Sequence, residues 1–120
     1  MRCQIQLPFP EPEFINRSIA PSADGDGWTD RYYAMKAKLA SADTIHIMPN
    51  ELGSLPNGVS PYERCNLWLL YTALASGVDK VRFVCLWNGG GGDGPGGTAH
   101  MYNEVKRRTG RVTWIDTRTL

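Results

Sequence analysis

The sequence predicts a three-layer α/β domain, in which a mainly parallel sheet of about four strands lies between layers of helices. Two observations support this fold class. Short β-branched and apolar segments alternate with segments of helical periodicity along the 120 residues. The helical segments are also long enough to form right-handed crossovers between parallel strands. The chain has the length of one domain, so we expect residues 1–120 to form a single unit.

Four strands are predicted from short apolar or β-branched segments that end at turn residues. Pro8 ends the first strand because proline fixes φ and has no N–H to donate to a sheet. In chain order the predicted strands are Cys3–Leu7, Thr44–Met48, Val81–Trp87 and Arg111–Ile115. Since ligands bind at the carboxyl ends of parallel strands, the segments that follow these strands are the candidate functional loops.

The helices are predicted from apolar residues three or four positions apart and from their end signals. Ser60 is placed as an N-cap with Pro61 as the first helical residue, and Gly77 and Gly110 are typical residues after a helix C-terminus. A surface loop is expected over Pro49–Ser60. The predicted helices are a short turn over Pro12–Ile19, then Trp28–Leu39, Pro61–Ser76 and Thr98–Thr109.

The charge balance and the cysteines argue against several classes of function. Thirteen basic and 12 acidic residues give a net charge of +1, so neither nucleic acid nor an anionic membrane is an expected partner. The three cysteines have no Cys-x-x-Cys spacing, and no metal site is predicted. Cys3 and Cys85 lie in predicted strands and are expected to be buried in a reducing compartment. Without a signal peptide or a long apolar segment, the chain is expected to be soluble and cytoplasmic.

A glycine-rich loop between the third strand and the last helix is the strongest candidate for a functional site. Seven of the 13 glycines lie in Gly89–Gly97. Glycines let backbone N–H groups approach an anion closely, and the following helix N-terminus adds a partial positive charge. A flexible linker would also be rich in glycine. Pro95, and Thr98 as a helix N-cap, favour a preorganised site for a phosphate-bearing ligand.

The loop matches two known phosphate-binding patterns in part. Gly92, Gly94 and Gly97 fit Gly-x-Gly-x-x-Gly, and Asp116 lies about twenty residues further on, where a ribose ligand is expected. NAD-type dinucleotide binding is therefore one alternative, weakened by the position of the loop late in the chain. The spacing from Gly91 resembles a Walker A loop, but Gly97 stands where its lysine would be, which argues against an NTPase.

The sequence resembles the carboxyl half of a bacterial Rossmann-like family related to the SLOG superfamily, which includes the LOG nucleotide hydrolases and predicted nucleotide-sensing domains. The most specific matching segments are Leu86–Gly89 and Gly92–Thr98. The others are Leu7–Pro10, Glu13–Ile15, Arg17–Ile19, Trp28 with Arg31 and Tyr32, and Tyr62 with Asn66. The resemblance implies a Rossmann-like signalling domain that forms the C-terminal part of a larger nucleotide-binding domain, with fused or associated effector domains as partners.

The resemblance implies nucleotide binding by a sensor module more strongly than it implies catalysis. LOG enzymes carry Pro-Gly-Gly-x-Gly-Thr-x-x-Glu, whose glutamate assists cleavage of an N-glycosidic bond. Here Pro95-Gly96-Gly97-Thr98 is followed by Ala99-His100-Met101, so that glutamate is missing. A LOG-like N-glycosidase remains the enzyme alternative, with Asp93, His100 or Glu104 as the proton-transfer group.

The predicted ligand-binding residues come from two segments, and the expected ligand is a nucleotide. Arg17 and Ser18 follow the first strand, where a guanidinium group would hold a phosphate; a solvated surface arginine is the alternative. Asp93 would bind a ribose hydroxyl or Mg²⁺, or would shape the loop as an Asx-turn. The full set is Asn88, Gly92, Asp93, Gly94, Gly96, Gly97, Thr98, Arg17 and Ser18.

Three further side chains have two interpretations each. Asn66 is either a buried polar anchor or a ligand contact. Trp87 at a strand end would stack on a base or belong to the core. His46 is expected to be a hydrogen-bonded core residue.

Overall fold

The protein forms two units, Met1–Pro56 (unit 1) and Asn57–Leu120 (unit 2), each with one pair of parallel strands and its own helices. A computed structural model describes residues 2–91 and 94–120. Within these residues, every helix is too short or too polar to cross a membrane.

Unit 1 consists of two strands and three helices. Its elements are β1 (Gln4–Leu7), α1 (Glu11–Phe14), a π-helical turn (Ile15–Ile19), α2 (Gly25–Ala37), β2 (Thr44–Ile47) and α3 (Met48–Leu52). β1 and β2 pair in parallel, with Gln4 opposite Thr44 and Leu7 opposite Ile47. The buried apolar residues of this unit are Leu7, Phe9, Ile15 and Met48.

In the predicted helix Trp28–Leu39, the apolar residues Trp28, Tyr32, Met35 and Leu39 are three or four positions apart and were expected to form one apolar face, but that face is not buried. The helix forms, but it contains no buried residue, and Trp28 and Met35 are exposed. α2 contacts α1 through the Phe14 and Tyr32 rings and through polar groups. Tyr32 donates its hydroxyl hydrogen to Glu11, and the Lys36 ammonium group donates to both carboxylate oxygens of Glu11 at 2.9 and 2.7 Å.

Unit 2 contains the glycine-rich loop. Its elements are α4 (Pro61–Leu74), a 3₁₀ turn (Val78–Lys80), β3 (Phe83–Trp87), α5 (Thr98–Thr109), β4 (Val112–Asp116) and a final 3₁₀ turn (Thr117–Thr119). β3 and β4 pair in parallel, with Phe83 opposite Val112 and Trp87 opposite Asp116. The glycine-rich loop therefore begins at the carboxyl end of β3 and leads into the crossover helix α5.

The core of unit 2 lies between α4, α5 and one face of the strand pair. It is built from the buried residues Leu70, Val81, Met101 and Val105, with Leu67, Leu74, Phe83 and Val112 packed against them. Cys65 and Cys85 are also buried. Burial raises the pKa of the Cys65 thiol to about 11 and raises that of Cys85 as well, because a thiolate loses its hydration there.

The structure confirms an α/β chain with parallel strands, and all four predicted strands form. Among the described residues they make two separate two-stranded sheets, so the predicted sheet of about four strands in a three-layer arrangement is not confirmed. Val84 and Leu86, which alternate along β3 with Phe83 and Cys85, are exposed. In each unit, a separate crossover connection joins the two parallel strands.

Three local predictions are corrected. The segment Pro49–Ser60 is not all loop, because α3 extends from Met48 to Leu52 with its proline in the first turn, where no N–H is needed. Cys3 is exposed, since β1 begins one residue later, at Gln4. His46 is a partly exposed residue that contacts Thr44 and Glu51 through its two ring nitrogens, and it is not a core residue.

Candidate functional site

The first half of the glycine-rich loop is a tight turn fixed by two side chains. The side-chain oxygen of Asn88 accepts the Gly90 N–H at 2.9 Å, and Trp87 Nε1 donates to the Gly90 carbonyl oxygen at 2.8 Å. Gly89 has φ +80°, and a Cβ atom there would lie 3.0 Å from the Trp114 ring. Asn88, a predicted ligand contact, therefore shapes the turn through an Asx-type hydrogen bond.

An aromatic cluster supports this turn. Trp87 packs against Tyr102 and Trp114 with ring centroids 5.6 and 5.3 Å apart, and Trp114 Nε1 donates to the Trp87 carbonyl oxygen at 2.7 Å. Tilted aromatic pairs at these separations are favourable beyond their area burial. Of the two interpretations of Trp87, the structure supports packing, because other rings already contact it.

The second half of the loop is held between α4 and α5. Gly97 donates its N–H to the Gly94 carbonyl oxygen at 3.1 Å, which closes a turn. Asn66 Nδ2, on α4, donates to the Gly96 carbonyl oxygen at 2.7 Å, and the Gly96 N–H donates to His100 Nδ1 on α5 at 2.8 Å. Both backbone polar groups of Gly96 are thus hydrogen-bonded to side chains. Of the two interpretations of Asn66, this contact agrees with the polar anchor.

Gly96 is required by both its conformation and its surroundings. Its φ is +84°, a region that L-residues with side chains rarely adopt. A Cβ atom at this position would lie 2.6 Å from the backbone N and Cα of Glu63 in the first turn of α4. The residue is buried. Only glycine allows the loop to approach α4 so closely.

The N-terminus of α5 is left without a side-chain cap in the described part of the chain. Gly97, with φ −70° and ψ 173°, is the N-cap residue, and no side chain accepts from the first turn. Thr98 was predicted as the cap, but it is already the first helical residue. The first-turn N–H groups of a helix have no backbone acceptor within the helix, and helix N-termini of this kind bind anionic ligands.

A cavity of about 330 Å³ opens where α4 and α5 begin. The lining residues that the structure describes carry no formal charge: Ser60, Tyr62, Asn66, Pro95, Gly96, Gly97 and Thr98. Ser60 caps α4 by accepting the Glu63 N–H at 3.4 Å. Two helix N-termini therefore border the same cavity, and each contributes partial positive charge. This arrangement suits an anionic group.

A second, more apolar cavity of about 340 Å³ adjoins the first. Asn66, Gly96 and Thr98 line both cavities. The remaining lining residues of the second cavity are Leu69, Phe83, Cys85, Leu86 and Met101. A ligand with an anionic end and a less polar body would fit across the two, because the polar and apolar walls lie side by side.

Two of the three proposed proton-transfer residues, Glu104 and His100, already accept hydrogen bonds within the described part of the chain. Glu104 accepts from Arg108 at 3.0 Å and from Arg107 at 2.8 Å, and these hydrogen bonds lower the pKa of its carboxyl group. It lines neither cavity. His100 uses Nδ1 to accept the Gly96 N–H, so its first role is to hold the loop. Asp93, like the predicted ligand residue Gly92, lies outside the described residues.

Asp116, the candidate ribose ligand of the dinucleotide alternative, is already engaged by Arg118. Both carboxylate oxygens accept from the Arg118 guanidinium group, the closest contact being 2.6 Å, and one also accepts the Arg118 backbone N–H. These bonds lower the pKa of the Asp116 carboxyl group. The carboxylate caps the last turn of the chain, which is a structural role.

Arg17 and Ser18 belong to unit 1, whereas the glycine-rich loop belongs to unit 2. The Arg17 guanidinium group lies 4.3 Å from the Phe9 ring centroid and donates to Glu13 at 2.9 Å. Ser18 lies in the π-helical turn and lines a cavity of unit 1. The contacts of Arg17 are those of a surface arginine, which was the alternative to phosphate binding.

Sequence reasoning did not identify Ser60 and Tyr62 as lining residues. The Ser-Pro start of α4 was visible as a helix signal, but a helix signal does not reveal which cavity the helix borders.

No protein-family model, no curated protein and no solved structure matches this chain. In the described part of the chain, no cluster of three or more histidine, cysteine or carboxylate side chains could hold a metal ion.

Proposed function

We propose that unit 2 binds a nucleotide or nucleotide derivative, with its phosphate in the cavity where α4 and α5 begin. The observation that carries the proposal is the N-terminus of α5, which has no side-chain cap among the described residues and borders a cavity whose described lining residues are uncharged. Helix N-termini bind phosphate through their unbonded N–H groups and their dipole. The base or another less polar part of the ligand would occupy the adjoining apolar cavity.

Preorganisation of the loop supports the proposal. The Asn66 and His100 hydrogen bonds and the close contact of Gly96 with α4 hold the second half of the loop before any ligand is bound. A ligand that enters an ordered site does not have to order it, so more of the interaction energy contributes to affinity. A flexible glycine linker would have no such contacts.

We propose a ligand-binding, sensor-type module and not a hydrolase. Glu104 is paired with two arginines, and its lowered pKa keeps it ionised, so it is a poor general acid. The Rossmann-like three-layer arrangement, a role in signalling and an effector domain as partner belong to the same proposal. They rest on the sequence resemblance alone.

The proposal is tested by thermal unfolding of the full chain with nucleoside monophosphates, ADP-ribose and cyclic dinucleotides, with adenosine and inorganic phosphate as controls. A ligand at 100 times its Kd adds about 2.7 kcal/mol to the free energy of unfolding. We expect at least one phosphorylated nucleotide to stabilise the protein more than adenosine does. No stabilisation by any member of the panel would contradict the proposal.

A variant that adds a negative charge to the cavity tests whether the phosphate binds there. Ser60→Asp preserves an N-cap, because aspartate caps helices as well as serine does, but it adds a negative charge beside the bound phosphate. We expect the stabilisation by nucleotide to disappear. Ser76→Asp, near the other end of α4, is the control with the same change in net charge. Equal nucleotide binding by both variants would place the ligand elsewhere.

The alternative, that the protein is an N-glycosidase, is tested by a separate measurement. Incubation with nucleoside monophosphates followed by chromatography detects any released base. We expect none. Base release that is lost in Glu104→Ala would instead support an N-glycosidase.

A further inference from the structure

Unit 1 contains a cavity of about 490 Å³ between the π-helical turn and α2. Its lining residues are Phe14, Ser18, Ile19, Ser22, Trp28, Arg31 and Tyr32. Three of the seven are aromatic, and Arg31 is the one charged residue among them. Cavities of roughly 300–1,000 Å³ with apolar walls and a few polar groups are typical small-molecule sites.

The inner wall of this cavity is preformed. The Phe14 and Tyr32 rings lie 5.9 Å apart at an interplanar angle of 56°. The Tyr32 hydroxyl group donates to Glu11 at 2.9 Å, and Lys36 binds the same carboxylate, which fixes the position of the Tyr32 ring. Burial and the neighbouring Glu11 carboxylate raise the pKa of Tyr32, so the phenol stays neutral. An aromatic ligand would meet a rigid apolar surface.

The backbone on one side of the cavity has an uncommon conformation. Ser18 and Ile19 lie in the π-helical turn Ile15–Ile19, and both line the cavity. π-Helical turns are rare and are found frequently at functional sites. This turn is a second observation, independent of the shape of the cavity, that points to unit 1.

Arg31 and Trp28 form the outer rim. The Arg31 guanidinium group lies 4.6 Å from the Trp28 ring centroid, and Trp28 is 53% exposed. Arg31 also faces Asp24 at 3.6 Å, but the two side chains are 61% and 62% exposed. An ion pair so open to water contributes little, so a carboxylate on a ligand can take the place of Asp24. Arginine binds carboxylates through two parallel hydrogen bonds.

We propose that this cavity is a binding site for a small aromatic carboxylate. The aromatic part of the ligand packs against Phe14, Trp28 and Tyr32, and its carboxylate pairs with Arg31. The site belongs entirely to unit 1 and does not depend on nucleotide binding by unit 2.

The test is a calorimetric titration of the full chain with 2-naphthoate as the probe and with 2-naphthamide as its neutral counterpart. We expect 2-naphthoate to bind at least about 10-fold more tightly, since a charge-assisted hydrogen bond to arginine is lost in the amide. Arg31→Gln is expected to reduce the affinity for 2-naphthoate to that for 2-naphthamide.

Arg17→Gln is the matched control. Arg17 also lies against an aromatic ring and pairs with a nearby carboxylate, but it does not line the cavity. We expect the Arg17→Gln variant to bind 2-naphthoate with the same affinity as the unmodified protein. Trp28→Ala, at an exposed position whose loss leaves the core intact, is expected to weaken the binding of both probes.

The proposal would be overturned by any of three results. The first is no saturable binding of 2-naphthoate. The second is equal affinity for the two probes together with no effect of Arg31→Gln. The third is an equal loss of binding in Arg17→Gln and Arg31→Gln, because that would indicate a general charge effect. Circular dichroism of each variant checks that it is folded.

Discussion

Gly96 determines the geometry of the candidate phosphate site at the scale of a single residue. Its positive φ turns the chain into α5, and its missing side chain lets the loop rest on the first turn of α4. Its carbonyl oxygen and N–H are bonded to Asn66 and His100. The sequence showed a group of glycines, but it did not show which of them is irreplaceable, because that depends on a neighbour more than thirty residues earlier in the chain.

We predict that Gly96→Ala lowers the free energy of unfolding by about 2 kcal/mol or more, from backbone strain and a clash with the Glu63 backbone. Gly91→Ala is the matched control in the same loop, since a Cβ there meets no atom of the described residues within 4 Å and its φ is not positive. We expect Gly91→Ala to change stability by at most about 0.5 kcal/mol. Urea unfolding of both variants measures the difference, and equal effects would contradict the assigned role of Gly96.

At the scale of elements, the two units hold their helices in different ways. α5 packs on α4 and the strands through buried apolar residues such as Met101 and Val105. α2 has no buried residue, and its polar contacts with α1 are made by the carboxylate of Glu11, which lies 21 and 25 residues before its partners Tyr32 and Lys36. Apolar periodicity predicted α2 as a helix, but the apolar face that it predicted there is not buried.

We predict that Glu11→Gln destabilises the protein by about 1 kcal/mol, because hydrogen bonds to an ionised carboxylate become neutral ones at a partly solvated position. Glu13→Gln is the control on the same short helix. Glu13 pairs with Arg17 at the surface, so its change is expected to cost at most about 0.5 kcal/mol. Chemical denaturation curves provide the comparison, and a larger effect for Glu13→Gln would refute the importance of the Glu11 contacts.

Element ends were predicted with unequal success. Thr98–Thr109 and the start of α4 at Pro61 agree with the structure. Ser60, Pro61 and Gly110 are local signals that act within one turn of the helix. α3 was missed because a five-residue helix has too few residues to show a period.

At the scale of the whole molecule, carboxylates that accept hydrogen bonds occur in both units. Glu11 accepts from Lys36 and Tyr32, and Asp43 accepts the backbone N–H groups of Cys3 and Ala40. Glu104 and Asp116 accept from arginines in unit 2. In all four cases these bonds lower the pKa of the carboxyl group, because they favour the ionised form.

We predict that the protein loses stability in acid. The folded pKa values of these four groups lie below those of the unfolded chain, so their stabilising effect is complete above the unfolded pKa of about 4. It is lost as the pH falls from there through the folded pKa values. Urea unfolding should therefore give similar free energies at pH 7 and pH 5.5 and a lower one at pH 3. A free energy of unfolding that stays constant or rises towards pH 3 would contradict the prediction.

The sequence by itself determined the alternation of strands and helices and the position of the glycine-rich loop before α5. These features depend on signals within a few residues of one another, so they can be recognised locally. The tertiary structure decided the rest. It paired the strands two by two, brought Asn66 and Glu63 of α4 against Gly96, and formed the aromatic cavity of unit 1. Such contacts join distant segments, and they depend on which helix faces pack together.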